Sequence, residues 1–141
     1  MTGKPTLSAQ VNEHHYRPTV AVALILSSDS LAAALIAAAI ELAGCSIAFA
    51  LPDEDGVDAF RRVRPAFLLV DAADERSCAP ELLGPAMMTG TRTLLFGSAT
   101  ATGIRDDVAR KFNLEVLIMP GDAARLTDLI RESSQNRLAP R

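Results

Sequence analysis

The sequence is poor in aromatic residues, in cysteine and in charge of one sign. Its 141 residues include five Phe, one Tyr and no Trp. Because 49% of the chain is nevertheless hydrophobic, we expect a core built mainly from Ala, Leu, Val and Ile side chains. A chain of this length fits one domain with a core of its own.

The cysteines and histidines do not form a recognisable framework. Cys45 and Cys78 lie far apart in the sequence and match neither a zinc-ligand spacing nor a set of paired cysteines. We interpret them as thiols in a reducing compartment. His14 and His15 stand in a polar leader without a third ligand nearby, so we interpret them as solvated. These residues predict no disulfide and no zinc site.

Neither a membrane span nor a nucleic-acid surface is predicted. Residues 19–44 are very apolar, but the polar run from Ser27 to Ser30 divides them into halves that are too short to cross a bilayer. The apolar run also begins later than in an ordinary signal peptide. The net charge is −3, and no basic block marks a nucleic-acid surface. We therefore expect a cytoplasmic protein.

Apolar runs alternate with helical segments along the chain. Five runs are predicted to form strands: 19–26, 45–51, 66–70, 91–96 and 114–119. The first of them is typical of a strand buried on both faces. Helices are predicted over 31–43, 53–63, 102–112 and from residue 123 onwards. Asp29 or Ser30 is expected to cap the first helix and Gly44 to end it. A helix beginning at Pro80 is expected to be interrupted by Gly84 and Pro85.

This alternation predicts an α/β fold. Five β–α units in a row favour a parallel sheet that is covered by helices on both faces. Right-handed crossovers leave few topologies, of which we favour a single three-layer, flavodoxin-like doubly wound domain with strand order 2-1-3-4-5. A Rossmann-like half is the alternative. We expect the domain to span residues 18–133, between a flexible leader at 1–17 and a flexible tail at 134–141.

In such sheets, functional residues gather at the carboxyl ends of the strands, near the switch between strands 1 and 3. The residues expected there are Ser27, Ser28, Asp29, Asp71, Gly97, Ser98, Met119 and Pro120. No glycine-rich phosphate loop follows the first strand, and no nucleophile has a paired base. We therefore do not expect an enzyme.

The order and spacing of the strand ends resemble those of response-regulator receiver domains. The run Leu24–Asp29, with a helix ending at Gly44, resembles the first β–α unit of that family, and Phe67–Asp71 resembles its phospho-acceptor strand. Leu94–Ala99 resembles the fourth strand with its terminal Ser/Thr-Ala, and Val116–Pro120 resembles the fifth with its Lys-Pro ending. The resemblance covers about residues 18–133 and implies a role in two-component signal transduction.

The resemblance makes Asp71 the phospho-acceptor candidate, but the residues around it depart from the family pattern. Two acids that hold Mg²⁺ in the family are replaced by Ser27 and Ser28, and the lysine that pairs with the phosphoryl group is replaced by Met119. Asp29 and Asp71 are then the carboxylates available to a cation that demands near-octahedral oxygen ligands. We expect Mg²⁺ binding to be weak and no other cofactor.

The residues that transmit phosphorylation in the family are only partly present. Ser98 keeps the family's hydroxyl, but Val116 replaces the aromatic residue that moves with it. The resemblance also implies a cis Met119–Pro120 peptide, although X–Pro bonds are trans by default. Because phosphoryl transfer depends on electrostatic stabilisation that the lost acids and lysine supply, these departures predict a pseudo-receiver pocket.

The first helix has an apolar outer face. Between Leu31 and Ala43 its only charged residue is Glu41. Alanine is a good helix former on a surface and needs no partner; alternatively, a second copy of the chain or a partner helix covers this face. The resemblance favours a partner, because this helix takes part in docking kinases and phosphotransfer proteins in the receiver family. The candidate partner-binding residues are Leu31, Ala34, Leu35, Ala38, Glu41 and Leu42.

Three functions are compatible with these observations. The leading hypothesis is a receiver-like interaction module, able to form a homodimer, that binds a histidine kinase, a phosphotransfer protein or a downstream regulator. The second is a phosphorylatable receiver that uses Asp71 as phospho-acceptor. The third is a small-ligand-binding flavodoxin-like domain.

Overall fold

The computed structural model describes residues 21–98 and 106–138, with side chains for all of these except Asp106 and residues 134–138. The predicted leader at 1–17, with His14 and His15, lies outside the described residues. So do residues 19–20 of the predicted first strand and residues 102–105 of the predicted fourth helix.

Within the described residues, strands and helices alternate as predicted. The strands are β1 (Val22–Leu26), β2 (Ser46–Phe49), β3 (Phe67–Asp71), β4 (Arg92–Ser98) and β5 (Glu115–Met119). The helices are α1 (Ser30–Leu42), α2 (Gly56–Val63), α3 (Pro80–Met88), α4 (Asp106–Phe112) and α5 (Ala123–Leu138), with a 3₁₀ turn at Glu75–Cys78 before α3. All strand pairs are parallel in the order β2-β1-β3-β4-β5. The predicted flavodoxin-like fold and strand order are confirmed.

The sheet separates two hydrophobic layers, because successive strand residues point to opposite faces. Ile36 and Ile40 of α1 pack with Leu126 and Ile130 of α5 on one face. On the other face, Phe60 of α2 and the leucines of α3 pack against alternate strand residues such as Leu24 and Leu68. Burying each such side chain contributes roughly 1.5–3 kcal/mol. Both faces of the sheet are therefore closed, and its carboxyl edge is left for a site.

Asp29 caps α1; it is one of the two residues, Asp29 and Ser30, that the sequence predicts as the cap. Its Oδ1 accepts hydrogen bonds from the Leu31 and Ala32 amides at 3.0 and 3.2 Å, which satisfies two amides that have no partner within the helix. At the other end Gly44 adopts a φ of +85°, where a side chain would be strained. The chain therefore turns sharply from α1 into β2.

The expected interruption at Gly84 and Pro85 is wrong, because α3 runs through both residues. Pro80 occupies the first turn, where a missing N–H costs nothing. Gly84 precedes Pro85 and has no Cβ to clash with the proline ring. The buried side chains of α3 then hold the helix against the sheet despite the hydrogen bond that Pro85 cannot donate.

Two other helix boundaries differ from the prediction. α2 begins at Gly56 rather than at residue 53, and its cap is Asp55, whose Oδ1 accepts the Asp58 amide at 2.8 Å. α5 continues to Leu138, so residues 134–138, which the sequence places in the tail, have helical backbone. Among the described residues, no helix is long and apolar enough to span a membrane.

Candidate functional site

Ser27 and Asp71 meet at the carboxyl ends of adjacent strands. Leu26 pairs with Val70 in the β1–β3 register, so the next residue of each strand lies side by side. The Ser27 hydroxyl donates a hydrogen bond to Asp71 Oδ2 at 2.6 Å. The Ala73 amide donates to Asp71 Oδ1 at 2.9 Å. Asp71 is only 6% exposed, and these charge-assisted bonds offset the cost of burying its carboxylate.

Asp29 serves the start of α1, and Ser28 lines the groove beside the pocket. The Asp29 carboxylate caps the helix, and the backbone amide of Asp29 donates to Ser27 Oγ at 3.0 Å. Ser28 is exposed. Within residues 21–98 and 106–138, no three Asp, Glu, His or Cys side chains gather into a group that could hold a metal ion. Mg²⁺ is usually held by one or two carboxylates together with several waters. Of the two candidate carboxylates, Asp29 caps α1 and Asp71 accepts hydrogen bonds from Ser27 and Ala73.

Ser98 and Met119 face each other across the β4–β5 register. Ser98 is exposed, whereas Met119 is 7% exposed and packs in the core layer beneath α1 and α5. The peptide from Met119 to Pro120 is cis, as the resemblance implies. The position that the resemblance matches to the family's lysine therefore carries a buried thioether.

A groove of about 590 Å³ opens beside the pocket, at the ends of β1 and β2. Leu26, Phe49 and Val57 form its apolar wall, and Ser27 links it to Asp71. Glu54 and Asp55 from the loop before α2 and Asp74 before the 3₁₀ turn line its rim, together with Arg76 and Ser77 of the turn. Its size lies in the range of small-molecule sites.

An ion pair that the sequence analysis did not find holds the loop between β2 and α2. Arg62 Nε lies 2.7 Å from Glu54 Oε2, and Arg62 Nη2 donates to Glu54 Oε1 at 2.8 Å and to the Phe49 carbonyl at 3.1 Å. The Leu51 amide donates to Glu54 Oε1 at 2.9 Å. The hydrogen bonds from Arg62 and Leu51 lower the pKa of Glu54 from 4.5 to about 2. A pair that bridges a turn and a helix has no periodic signature, so no local pattern indicated it.

All six candidate partner-binding residues lie on the exposed side of α1. We call Leu31, Ala34, Leu35, Ala38, Glu41 and Leu42 the α1 surface. Leu31 and Leu42 are each 71% exposed, and Leu35 is 39% exposed. The opposite side of α1 is buried against the sheet and α5. The helix is thus apolar on both sides, which a helix on an open α/β sheet does not need for folding.

No protein-family model and no curated protein matches the sequence. Solved structures match its fold. The receiver domain of AraT, a response regulator from Geobacillus stearothermophilus, aligns with a TM-score of 0.66 at 16% identity, covering 86% of this chain and all of that one. The receiver domain of the response regulator NarL from Mycobacterium tuberculosis aligns with a TM-score of 0.61 at 15% identity, covering 85% of this chain and all of that one.

A de novo designed Rossmann 2x3 fold protein also aligns, with a TM-score of 0.58 at 17% identity, covering 83% of this chain and 91% of that one. Because a designed protein shares the architecture, structural similarity establishes the fold of this chain and does not establish its function. Function has to be argued from the site. The strand order, the carboxyl-edge position of Asp71 and the full coverage of natural receiver domains together show that this chain has the fold of response-regulator receiver domains.

Proposed function

We propose that this chain is a signal-transduction module that docks a protein on the α1 surface and does not depend on phosphorylation of Asp71. The observation that carries the proposal is the α1 surface itself, in which five of six exposed residues are Leu or Ala and one, Glu41, is charged. Contiguous apolar surface on a folded domain is typical of an interaction site.

The environment of Asp71 supports a role without phosphoryl transfer. A phosphoryl group on either carboxylate oxygen would displace a hydrogen bond from Ser27 or from Ala73. Its added negative charge would lie beside the Ser27 hydroxyl, and the position that the resemblance matches to the family's lysine is occupied by the buried Met119. Electrostatic stabilisation is the main contribution a protein makes to this chemistry, so we expect phosphorylation to be very slow.

The dimensions of α1 indicate the kind of partner. Its 13 residues span roughly 20 Å at 1.5 Å per residue. That length suits contact with one or two helices. The area of the α1 surface is smaller than the roughly 800 Å² that each partner buries in a stable complex. A histidine kinase, a phosphotransfer protein or a downstream regulator with an apolar helix and a base opposite Glu41 fits this surface. A second copy of the chain is the competing occupant.

Intact-mass spectrometry tests the proposed independence from phosphorylation. The folded protein is incubated with acetyl phosphate and MgCl₂, with an intact two-component receiver domain as the positive control. We expect a phosphoryl adduct on the control and none on this chain. An adduct that disappears in the Asp71→Asn variant would contradict the proposal and establish the phosphorylatable receiver instead.

Docking on α1 is tested by exchanging its most exposed leucines for glutamine. The double variant Leu31→Gln/Leu42→Gln keeps helix propensity, because glutamine forms helices nearly as well as leucine. It loses little packing, because both leucine side chains are 71% exposed. Met88→Gln is the matched control, because Met88 is 89% exposed and lies on α3. Crosslinked proteins from the source cell should be retained by the wild type and the control and lost by the double variant. Equal recovery with all three proteins would refute α1 docking.

The groove beside Ser27 favours one further candidate, a small-ligand-binding domain. Its volume of about 590 Å³ and its position at the carboxyl ends of β1 and β2 are typical of ligand sites in open α/β sheets. Native mass spectrometry of protein purified from its source would support this candidate if a bound small molecule were retained.

A further inference from the structure

A second groove lies at the opposite edge of the sheet, where β4 and β5 begin. It measures about 590 Å³ and is bounded by the end of α3 and the end of α4. Met87, Phe112 and Leu114 provide its apolar lining, and Met87 is 45% exposed. Methionine adapts its shape to an apolar side chain that enters from outside. We call this cavity the amino-edge groove.

One basic residue, Arg92, lines the amino-edge groove, and two more, Arg125 and Lys111, contact its lining residues. Arg92 Nη2 lies 3.2 Å from Glu115 Oε1, and Arg125 pairs with Oε2 of the same glutamate. Lys111 lies over the Phe112 ring, with Nζ 5.5 Å from the ring centroid. Two arginines share one carboxylate and Lys111 adds a further positive charge, so the rim carries a positive excess although the whole chain has a net charge of −3.

A loop at the carboxyl edge has the complementary chemistry. Residues 51–55, which we call the acidic loop, contain one exposed leucine followed by three acids. Leu51 is 54% exposed, and Asp53 and Asp55 are exposed. The Glu54–Arg62 pair and the hydrogen bond from Leu51 hold the loop in one shape. A pre-ordered loop loses little conformational entropy when it binds.

We propose that the acidic loop of one copy of this chain docks into the amino-edge groove of a second copy. Leu51 would enter between Met87 and Phe112, and Asp53 would face Lys111 and Arg92. The apolar contact and the opposite charges would both contribute to affinity, and the charges would also select the orientation and speed the encounter.

This contact differs from a two-fold dimer. The loop and the groove lie at opposite edges of the sheet, so each copy offers one of each and the contact is head to tail. Such an arrangement either closes into a ring or continues as an open chain of copies. It leaves the α1 surface uncovered and is independent of the function proposed for that surface.

The affinity is expected to be low. One loop in one groove buries less than the roughly 1,200 Å² at which specific complexes begin, which suggests a Kd on the order of 0.1–1 mM. Self-association would then depend on the local concentration of the protein.

Sedimentation velocity at rising protein concentration tests the contact. We expect the weight-average sedimentation coefficient to rise with concentration at about 0.1 M NaCl and to stay near the monomer value at about 1 M, where the Debye length falls from roughly 10 to 3 Å. Asp53→Lys and Lys111→Glu should each weaken association at least about tenfold, because each places like charges in contact. Asp128→Lys, an equal charge change on the exposed face of α5, should leave association unchanged.

Mixing the loop variant Asp53→Lys with the groove variant Lys111→Glu gives the decisive result. In the mixture the intact loop of Lys111→Glu can bind the intact groove of Asp53→Lys, and the reversed loop and the reversed groove again carry opposite charges. The mixture should therefore recover the association that each variant alone has lost. A wild-type protein that stays monomeric to about 1 mM would overturn the proposal. So would self-association that both variants leave unchanged, which is the result expected if copies meet through α1.

Discussion

At the scale of single residues, the hydroxyl of Ser27 determines how Asp71 is held. It donates to Oδ2 at 2.6 Å while the Ala73 amide occupies Oδ1. A second acid at residue 27 would require a cation between the two carboxylates, whereas a hydroxyl supplies the hydrogen bond directly. Two hydrogen bonds from within the domain therefore satisfy the Asp71 carboxylate.

Ser27→Asp should make this pocket dependent on metal. The substitution removes the donor and places two carboxylates within hydrogen-bond distance, so we expect the free energy of unfolding to fall by about 2 kcal/mol without metal. Millimolar MgCl₂ should recover part of that loss. Urea denaturation with and without MgCl₂ measures both effects. Ser27→Ala is the control and should lose about 1 kcal/mol with no response to Mg²⁺. If the two variants behave alike, the hydrogen bond is not what replaces the metal.

Glu54 should titrate far below an ordinary glutamate. Its pKa is lowered from 4.5 to about 2 by the hydrogen bond from Arg62 and then by that from the Leu51 amide. Because the pKa of Glu54 is lowered, the ion pair contributes its full stability at pH values above 4.5. That contribution is lost as the pH falls through about 2. The Leu51 amide shift, followed by NMR from pH 6 downwards, should therefore have its midpoint near 2. In Arg62→Gln the midpoint should move up towards 4.5; an unchanged midpoint would exclude Arg62 as the cause.

At the scale of the elements, α3 shows tertiary packing overriding local preference. Leu82 and Leu83 are buried to within 1% exposure. Their burial, at roughly 1.5–3 kcal/mol for each side chain, is comparable with the roughly 3 kcal/mol cost of a proline inside a helix. Gly84 lowers that cost by removing the Cβ that would meet the ring of Pro85. The helix therefore continues where sequence rules predict a break.

Gly84 and Pro85 should be coupled. Pro85→Ala restores a helical N–H and should raise the free energy of unfolding by about 1–2 kcal/mol. Gly84→Ala should add about 1 kcal/mol in the Pro85→Ala background, because an added Cβ meets no tertiary neighbour within 4 Å. In the wild-type background Gly84→Ala should leave the free energy of unfolding unchanged or lower it, since the new Cβ faces the proline ring. Urea denaturation of the four proteins tests this, and an equal gain in both backgrounds would contradict it.

At the scale of the whole molecule, two hydrophobic layers share one central sheet. Ile40 is fully buried in the layer of α1 and α5, and Leu82 is 1% exposed in the layer of α2 and α3. Side chains on opposite faces of the sheet do not touch, yet both layers depend on the same strands. The domain should therefore unfold as one unit while its two layers tolerate substitution independently.

Ile40→Ala and Leu82→Ala test this arrangement. Each should lower the free energy of unfolding by about 2–4 kcal/mol, and the double variant should lose the sum to within about 0.5 kcal/mol. Urea unfolding followed by circular dichroism and by amide NMR should give coincident transitions. Separate transitions, or a double variant much less affected than the sum, would show that one layer unfolds on its own.

The sequence by itself predicted the α/β fold and the residues that reach the carboxyl edge, and it favoured the observed strand order over a Rossmann-like half. Strand and helix periodicities are local, and the alternation of apolar runs with amphipathic segments admits few parallel topologies. The outer face of α1 was likewise predictable, because 3.6-residue spacing places Leu31, Leu35, Ala38 and Leu42 together. All four are exposed in the structure.

Only the tertiary structure decided what the edge residues do. Ser27 donates to Asp71, which stands 44 residues away, because strand register sets that contact. Asp29 caps α1, and Glu54 joins Arg62 around a turn. α3 passes through Pro85 because burial outweighs propensity. These outcomes depend on distances between elements and on which energy is larger at one place, and neither quantity is written in a local pattern of residues.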